Sequence, residues 1–210
     1  MATRTVVSVP LESGDHLTRD EFHRRYLARP DIKKAELIDG VVYVASPVRF
    51  DRHAQQHFMV IGWLAAYVGL TPGVQPGGDN GTVFLDDGTE VQPDAFLWRS
   101  EPGGPRLSAD GYIEGAPQLI VEVAASSASY DLHTKKEAYR RNGVHEYVVW
   151  RVLDTAIDWF RLQDGSYVRI QPDDAGIVES DQFPGLRLDV PRMLAGDLAA
   201  VLSGVSAGPA

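Results

Sequence analysis

The spacing of apolar and polar positions divides the chain into alternating helical and extended segments. A helical period runs from Leu17 or Thr18 to Ala28. Thr18 and Glu21 have the spacing of a capping box, and Arg29-Pro30 closes the segment. AELI and VVYVAS follow as a hairpin around Asp39-Gly40, ended by Ser46-Pro47. From Asp51 to Val68 the apolar positions Phe58, Ile61, Leu64, Ala65 and Val68 recur at helical spacing and predict a long amphipathic helix. The Gly- and Pro-rich stretches at 72–81 and 102–105 read as loops. TVFL, Asp86-Asp87-Gly88 and TEVQPDAFLW predict a second hairpin. Pro93, which cannot donate to a ladder, marks an edge or a bulge there.

QLIVEVAA reads as a strand buried on both faces. A Ser-rich turn leads from it to a helix over 130–142, stopped by Asn142-Gly143. HEYVVWRV, AIDWFRL and SYVRI follow as strands, with turns at Asp154-Thr155 and Asp164-Gly165. A short LRLDV strand and a final helix, GDLAAVL, precede a tail, 203–210, expected to be disordered. This order predicts a mixed α+β (α/β) fold, a central mixed sheet flanked by helices and extended by the N-terminal and C-terminal hairpins, in a single domain with its core at about 17–190.

Composition narrows the chemistry. The chain has no cysteine, which removes disulfides, thiolate catalysis and Cys-ligated metal centres and fits a reducing cytoplasm. No apolar run approaches the about 20 residues that span a bilayer, and residues 1–15 contain no apolar block of signal-peptide length, so a cytoplasmic protein is expected. A net charge of −9 argues against a general nucleic-acid coat but allows an enzyme with a local basic patch.

Glu122 is the anomaly in this pattern. Leu119, Ile120 and Val121 precede it, Val123, Ala124 and Ala125 follow, and a carboxylate so placed needs a cation, a metal or a proton. Asp94, after Pro93, lies on a strand that could neighbour it, and two close carboxylates attract a hard divalent cation. Lys135 shares a helix face with Asp131 and Tyr139 at i−4 and i+4, while Lys136, Arg140 and Arg141 form the densest basic cluster nearby. His53 and His57 have zinc-ligand spacing, but HAQQH lacks the glutamate of a metalloprotease helix, so zinc is not expected. Ser126, Ser127 and Ser129 are read as turn and capping residues, and the four tryptophans as core or interface residues.

Six short motifs occur in order: Glu36-Leu37-Ile38-Asp39-Gly40; Ser46-Pro47 followed by His53; Pro93-Asp94; Glu122-Val123; Asp131, Lys135 and Tyr139 at intervals of four; and Gly143-Val144-His145-Glu146-Tyr147. Together they resemble the Uma-two family of endonucleases, within the PD-(D/E)XK superfamily and its restriction-endonuclease-like fold. The resemblance implies Asp94 and Glu122 as catalytic metal ligands, joined by the Val123 carbonyl and by Glu36 as an auxiliary acid. It implies Lys135 as the catalytic lysine, since the resembled family places it on the following helix; Ala124 stands where many other nucleases of the superfamily have theirs. His53, Asp131, Lys136, Tyr139 and Arg140 would support or contact substrate. The cofactor implied is Mg²⁺ or Mn²⁺ and the substrate DNA. Departures from the pattern are Ala124-Ala125-Ser126-Ser127, where the family often has a Pro after the Glu, and Val148-Val149-Trp150, where Trp and then Asp are common.

The leading expectation is therefore a metal-dependent endonuclease. A catalytically silent nuclease-fold binding or assembly module stands second, and hydrolysis of another phosphoester last, since no phosphate-cradling glycine loop is present. A homodimer is expected, with the 145–170 strand region, including Trp150, Trp159 and Phe160, as its interface.

Overall fold

The computed structural model describes residues 10–45, 53–78, 81–125 and 130–208. The motifs at Ser46-Pro47 and Ser126–Ser129 lie outside the described residues.

Helix α1 spans Arg19–Leu27, and the Thr18 hydroxyl accepts the Glu21 N–H at 3.4 Å. The return arm of the capping box is not made, because the Glu21 carboxylate binds Arg24 and Arg25 instead. Strands β1 (Ala35–Ile38) and β2 (Val41–Val44) form the expected hairpin. Asp39 and Gly40 both have positive φ, 53° and 78°, as a tight two-residue turn requires.

Helix α2 spans Ala54–Leu70, but its buried side differs from the predicted stripe. Met59, Val60, Trp63, Leu64 and Tyr67 face inward, whereas Phe58 is 71% exposed. The helix carries no Asp, Glu, Lys or Arg, so hydrophobicity alone does not select a face. Polar anchors do: the Trp63 indole donates to Arg187 O at 2.8 Å and the Tyr67 hydroxyl to Pro184 O at 3.2 Å.

TEVQPDAFLW is divided in two. β4 (Val83–Asp86) and β5 (Thr89–Val91) form a hairpin, the chain bends through Gln92-Pro93-Asp94, and β6 (Ala95–Trp98) joins a different sheet. Pro93 thus marks a crossing between sheets, where its missing N–H costs no ladder bond. The stretch read as a loop at 72–81 contains β3 (Gln75–Gly78), an edge strand antiparallel to β6. Gly77 permits this pairing, because the Phe96 ring lies directly over its α-carbon.

Two further short strands, β7 (Arg106–Leu107) and β8 (Ile113–Glu114), complete a first sheet of order β2-β1-β5-β4-β8-β7. The second sheet is built from β9 (Leu119–Ala124), β10 (Glu146–Arg151), β11 (Ala156–Gln163) and β12 (Ser166–Arg169) with β6 and β3, in the order β12-β11-β10-β9-β6-β3. Strands β9 and β10 are parallel, joined by a crossover through the helical segment at 131–141. The C-terminal hairpin extends this central sheet, as expected, whereas the N-terminal hairpin belongs to the first sheet. β13 (Ile177–Glu179) and β14 (Arg187–Asp189) form a separate ribbon, followed by helices Val190–Leu194 and Leu198–Ser203.

β9 is covered on both faces. Leu119, Val121 and Val123 join Trp63, Val148, Trp150 and Trp159 in the core under α2. Ile120 and Ala124 pack with Ile38, Val91, Ala138 and Tyr139 on the other side, between the sheets and the crossover helix. Trp150, Trp159 and Phe160, expected at a dimer interface, are core residues at 5%, 2% and 8% exposure and offer little surface to a second copy. The segment after Ser203, expected to be a free tail, is tied to the body through residue 208: the Ser206 N–H bonds Gly185 O and the Gly208 N–H bonds the Thr71 hydroxyl.

A Cβ added at Gly77 would lie 2.0–2.5 Å from three atoms of the Phe96 ring, which is itself buried. Gly77→Ala should therefore lower stability by about 1–3 kcal/mol, the usual cost of overpacking. Urea unfolding of wild type and variant checks this, and a difference below the error of the fit would sink it.

Candidate active site

Five segments deliver the predicted acids, lysine and tyrosine to one place. Glu36 comes from β1, Asp94 from the crossing between β5 and β6, and Glu122 from β9. Asp131 and Lys135 come from a wide π-type turn, Asp131–Lys135, that opens the crossover helix; Tyr139 comes from its continuation α3, Lys136–Arg141. Such widened turns are rare and concentrate at functional sites.

Two hydrogen-bond clusters make up the site. In the first, Lys135 Nζ lies 2.8 Å from Glu122 Oε1 and 2.9 Å from Glu36 Oε2, with Asp131 Oδ1 at 3.9 Å. The Tyr139 hydroxyl donates to the same Glu122 Oε1 at 2.7 Å. Glu36 Oε1 accepts the Gln92 N–H at 2.8 Å, and the Tyr147 hydroxyl donates to the carbonyl of Asp131 at 3.0 Å. In the second, Asp94 Oδ2 accepts the Val123 N–H at 2.8 Å, and Lys34 Nζ sits 3.0 Å from Asp94 Oδ1. The bond to Val123 places Asp94 beside the residue that follows Glu122, so the two clusters adjoin.

Both histidines of α2 turn toward this second cluster. His53 Nδ1–H donates to Val123 O at 3.0 Å, because a carbonyl can only accept, and its Nε2 stands 3.7 Å from Asp94 Oδ1. His57 Nε2–H donates to Asp94 O at 2.8 Å. Each imidazole thus gives one ring nitrogen to a backbone carbonyl. His53 contacts the expected ligand residues Asp94 and Val123 without substituting for them.

Lys34 and His57 are the members that sequence reasoning missed. A signal for Lys34 existed, since it lies two residues before Glu36 and an extended chain places both on one face. Lys136 and Arg140, expected at the substrate, are not brought to the acids. Lys136 Nζ lies over the Phe160 ring, 3.5 Å from its centre, and Arg140 pairs with Glu137 and bonds Gly165 O. Each follows a site residue by one position, about 100° round the helix, and so faces away.

Burial governs the electrostatics. Desolvation drives the Glu122 carboxyl up from 4.5 to about 8, only partly offset by Lys135. Burial would also raise Asp94, but Lys34, His53 and Lys135 hold it below the ordinary carboxylate value. Burial opposes the charge on Lys135, yet Glu122, Glu36 and Asp131 keep it well above the ordinary lysine value. Over these groups four carboxylates face two ammoniums, a formal excess of two negative charges.

A hard divalent cation fits this chemistry. The donors at hand are oxygens: Glu122 Oε2, opposite the oxygen used by Lys135 and Tyr139, the second lone pair of Val123 O, Asp94 Oδ1, which Lys34 holds, and Glu36, whose oxygens already meet the Gln92 N–H and Lys135. Among the described residues no three His, Cys, Asp or Glu side chains enclose an ion by themselves. Mg²⁺ takes one or two carboxylates and completes its shell with water and substrate oxygens.

Two outcomes follow. Lys135→Ala would leave Glu36 and Glu122 buried without their shared cation and should cost about 3–5 kcal/mol in chemical denaturation. Glu122 binds a proton more tightly folded than unfolded, so its contribution to stability is complete below 4.5 and is lost as pH rises toward about 8. The wild-type stability minus that of Glu122→Gln should decline across this window and flatten above it. A pH-independent difference would show that Glu122 stays ionised throughout.

Comparison with known proteins agrees with this architecture. No curated protein matches the sequence. Among solved structures, a chain described as a putative nuclease belonging to DUF820 from Anabaena variabilis superposes with a TM-score of 0.63 at 13% identity, covering 82% of this chain and 97% of the other. That likeness is one of fold. A family profile described as "Uma2: Putative restriction endonuclease" matches residues 19–191, a span that contains Lys34, Glu36, Asp94, Glu122 and Lys135. The chain belongs to the Uma2 family of nuclease-like proteins.

Proposed function

We propose that this protein is a divalent-metal-dependent endonuclease that hydrolyses phosphodiester bonds in DNA. One observation carries the reading: the Val123 N–H holds Asp94 beside Glu122, while Lys135 and Tyr139 fix Glu122 through a single oxygen. Two acids are thereby oriented by their neighbours, each with one carboxylate oxygen directed elsewhere. Asp94, Glu122 and the Val123 carbonyl would hold Mg²⁺ or Mn²⁺, with Glu36 alongside. Such an ion, when bound, lowers the pKa of a water and neutralises charge on a phosphate.

The chain's own residues supply the order around it. Tyr139, buried and pushed far above the ordinary tyrosine range, stays a donor and keeps Glu122 Oε1 engaged. Lys135 stays charged and counters the negative charge that builds at the phosphate in the transition state. His53 and His57 pin the backbone carbonyls of Val123 and Asp94, which limits drift of both ligand residues. A double-strand cut would call for two copies.

A second reading, a catalytically silent nuclease-fold module, draws on the same geometry. Lys135, 4% exposed, already satisfies Glu36 and Glu122 as a closed ion cluster. Plasmid nicking separates the two. Supercoiled DNA should be relaxed by wild type in Mg²⁺ or Mn²⁺, with Asp94→Asn and Glu122→Gln each losing about 100-fold or more. Equal rates in all three would place the chemistry elsewhere. An inert wild type that also binds no metal in calorimetry would establish the silent module.

A further inference from the structure

The two lysines of the site differ in access. Lys135 is 4% exposed, closed between Glu122 and Glu36, whereas the Lys34 side chain keeps 22% of its surface and reaches inward to Asp94 Oδ1 at 3.0 Å. The other Asp94 oxygen, Oδ2, is fixed by the Val123 N–H. Oδ1 is therefore the oxygen of Asp94 free to change partners, since His53 Nε2, at 3.7 Å, is beyond hydrogen-bond range.

We infer that Lys34 has two alternative partners: it competes with the divalent cation for Asp94 Oδ1 and, once displaced, offers its ammonium to an anionic oxygen of the substrate. The inference rests on the nuclease reading above, which gave the cationic role to Lys135 alone. An ammonium and a hard cation cannot both sit on one carboxylate oxygen without bringing like charges into close contact. Lys34 can yield. Its backbone is anchored, since its carbonyl accepts the Ala45 N–H at 3.0 Å, but its head is a compact charge on a flexible stem with three rotatable donors. The position just before β1 places that head at the rim, where it meets solvent while Lys135 does not. Lys34 thus neutralises Asp94 before loading and is the lysine that substrate can reach afterwards.

The test is calorimetric titration with Mn²⁺ alone of wild type, Lys34→Met, Lys34→Gln and Lys34→Arg, each first shown to be folded by circular dichroism. The neutral variants, freed of the competing charge, should bind Mn²⁺ about tenfold or more tightly than wild type, with Lys34→Arg close to wild type. In plasmid nicking at saturating Mn²⁺ the neutral variants should be slower despite their tighter metal, with activity partly restored in Lys34→Arg. Two neutral side chains guard against one misfolded variant, and a merely structural lysine would weaken metal binding on removal. Mn²⁺ binding that is unchanged or weaker in the neutral variants overturns the inference and leaves the nuclease reading standing, as does unimpaired nicking. Failure of wild type and variants alike to bind Mn²⁺ overturns the nuclease reading, and the inference falls with it.

Discussion

The ammonium of Lys135 touches Glu122 of the second sheet at 2.8 Å and Glu36 of the first at 2.9 Å, and its backbone belongs to the helical segment packed between them. One charge therefore ties together three parts of the fold that share no backbone ladder. Two carboxylates buried between the sheets would be prohibitive alone, and a lone buried ammonium equally so. Each makes the others tolerable. Around this cluster lie Ile38, Val91, Ile120, Ala138 and Tyr139, whose burial supplies the cohesion while the ions set the register in which they meet.

The chain's passage between the sheets depends on the same cluster. Gln92, Pro93 and Asp94 leave the first sheet and enter the second, and a crossing of this kind exposes backbone groups that no ladder satisfies. Side chains take them up: Glu36 accepts the Gln92 N–H and His57 donates to the Asp94 carbonyl, while the Asp94 carboxylate accepts the Val123 N–H of β9. The carboxylates that could hold a cation are thus also the acceptors that fasten the crossing, so the site sits where the fold changes sheets. That position explains why Asp94 follows a proline.

Much of this was legible because it is local. Glu122 stood out against its apolar neighbours, Asp39-Gly40 gave the hairpin, and the spacing of Asp131, Lys135 and Tyr139 gave a common helix face. What escaped is non-local or depends on competing partners. Division into two sheets is decided by strand pairings far apart in sequence, and only Pro93 hinted at it. The buried side of α2 was set by indole and phenol hydrogen bonds to residues more than a hundred positions away. β3 was hidden because Pro76, Gly77 and Gly78 argue against a strand, yet an edge beside the Phe96 ring accepts them. Lys34 meets Asp94 from 60 positions away, a pairing that only the fold creates.

The charge balance of the site separates architecture from use. A fold needing only cohesion between its sheets could replace a buried ion cluster with apolar side chains of similar volume at little cost, and often with a gain. A minimal salt bridge would have matched charges. Here Glu36, Asp94, Glu122 and Asp131 surround Lys34 and Lys135, and the surplus is partly relieved by driving Glu122 toward protonation. Such a surplus is a standing cost in stability, and costs of this kind collect where a ligand removes them. A small cation seated among these oxygens would remove this one, and the side where Lys34 rather than Lys135 meets solvent would admit it.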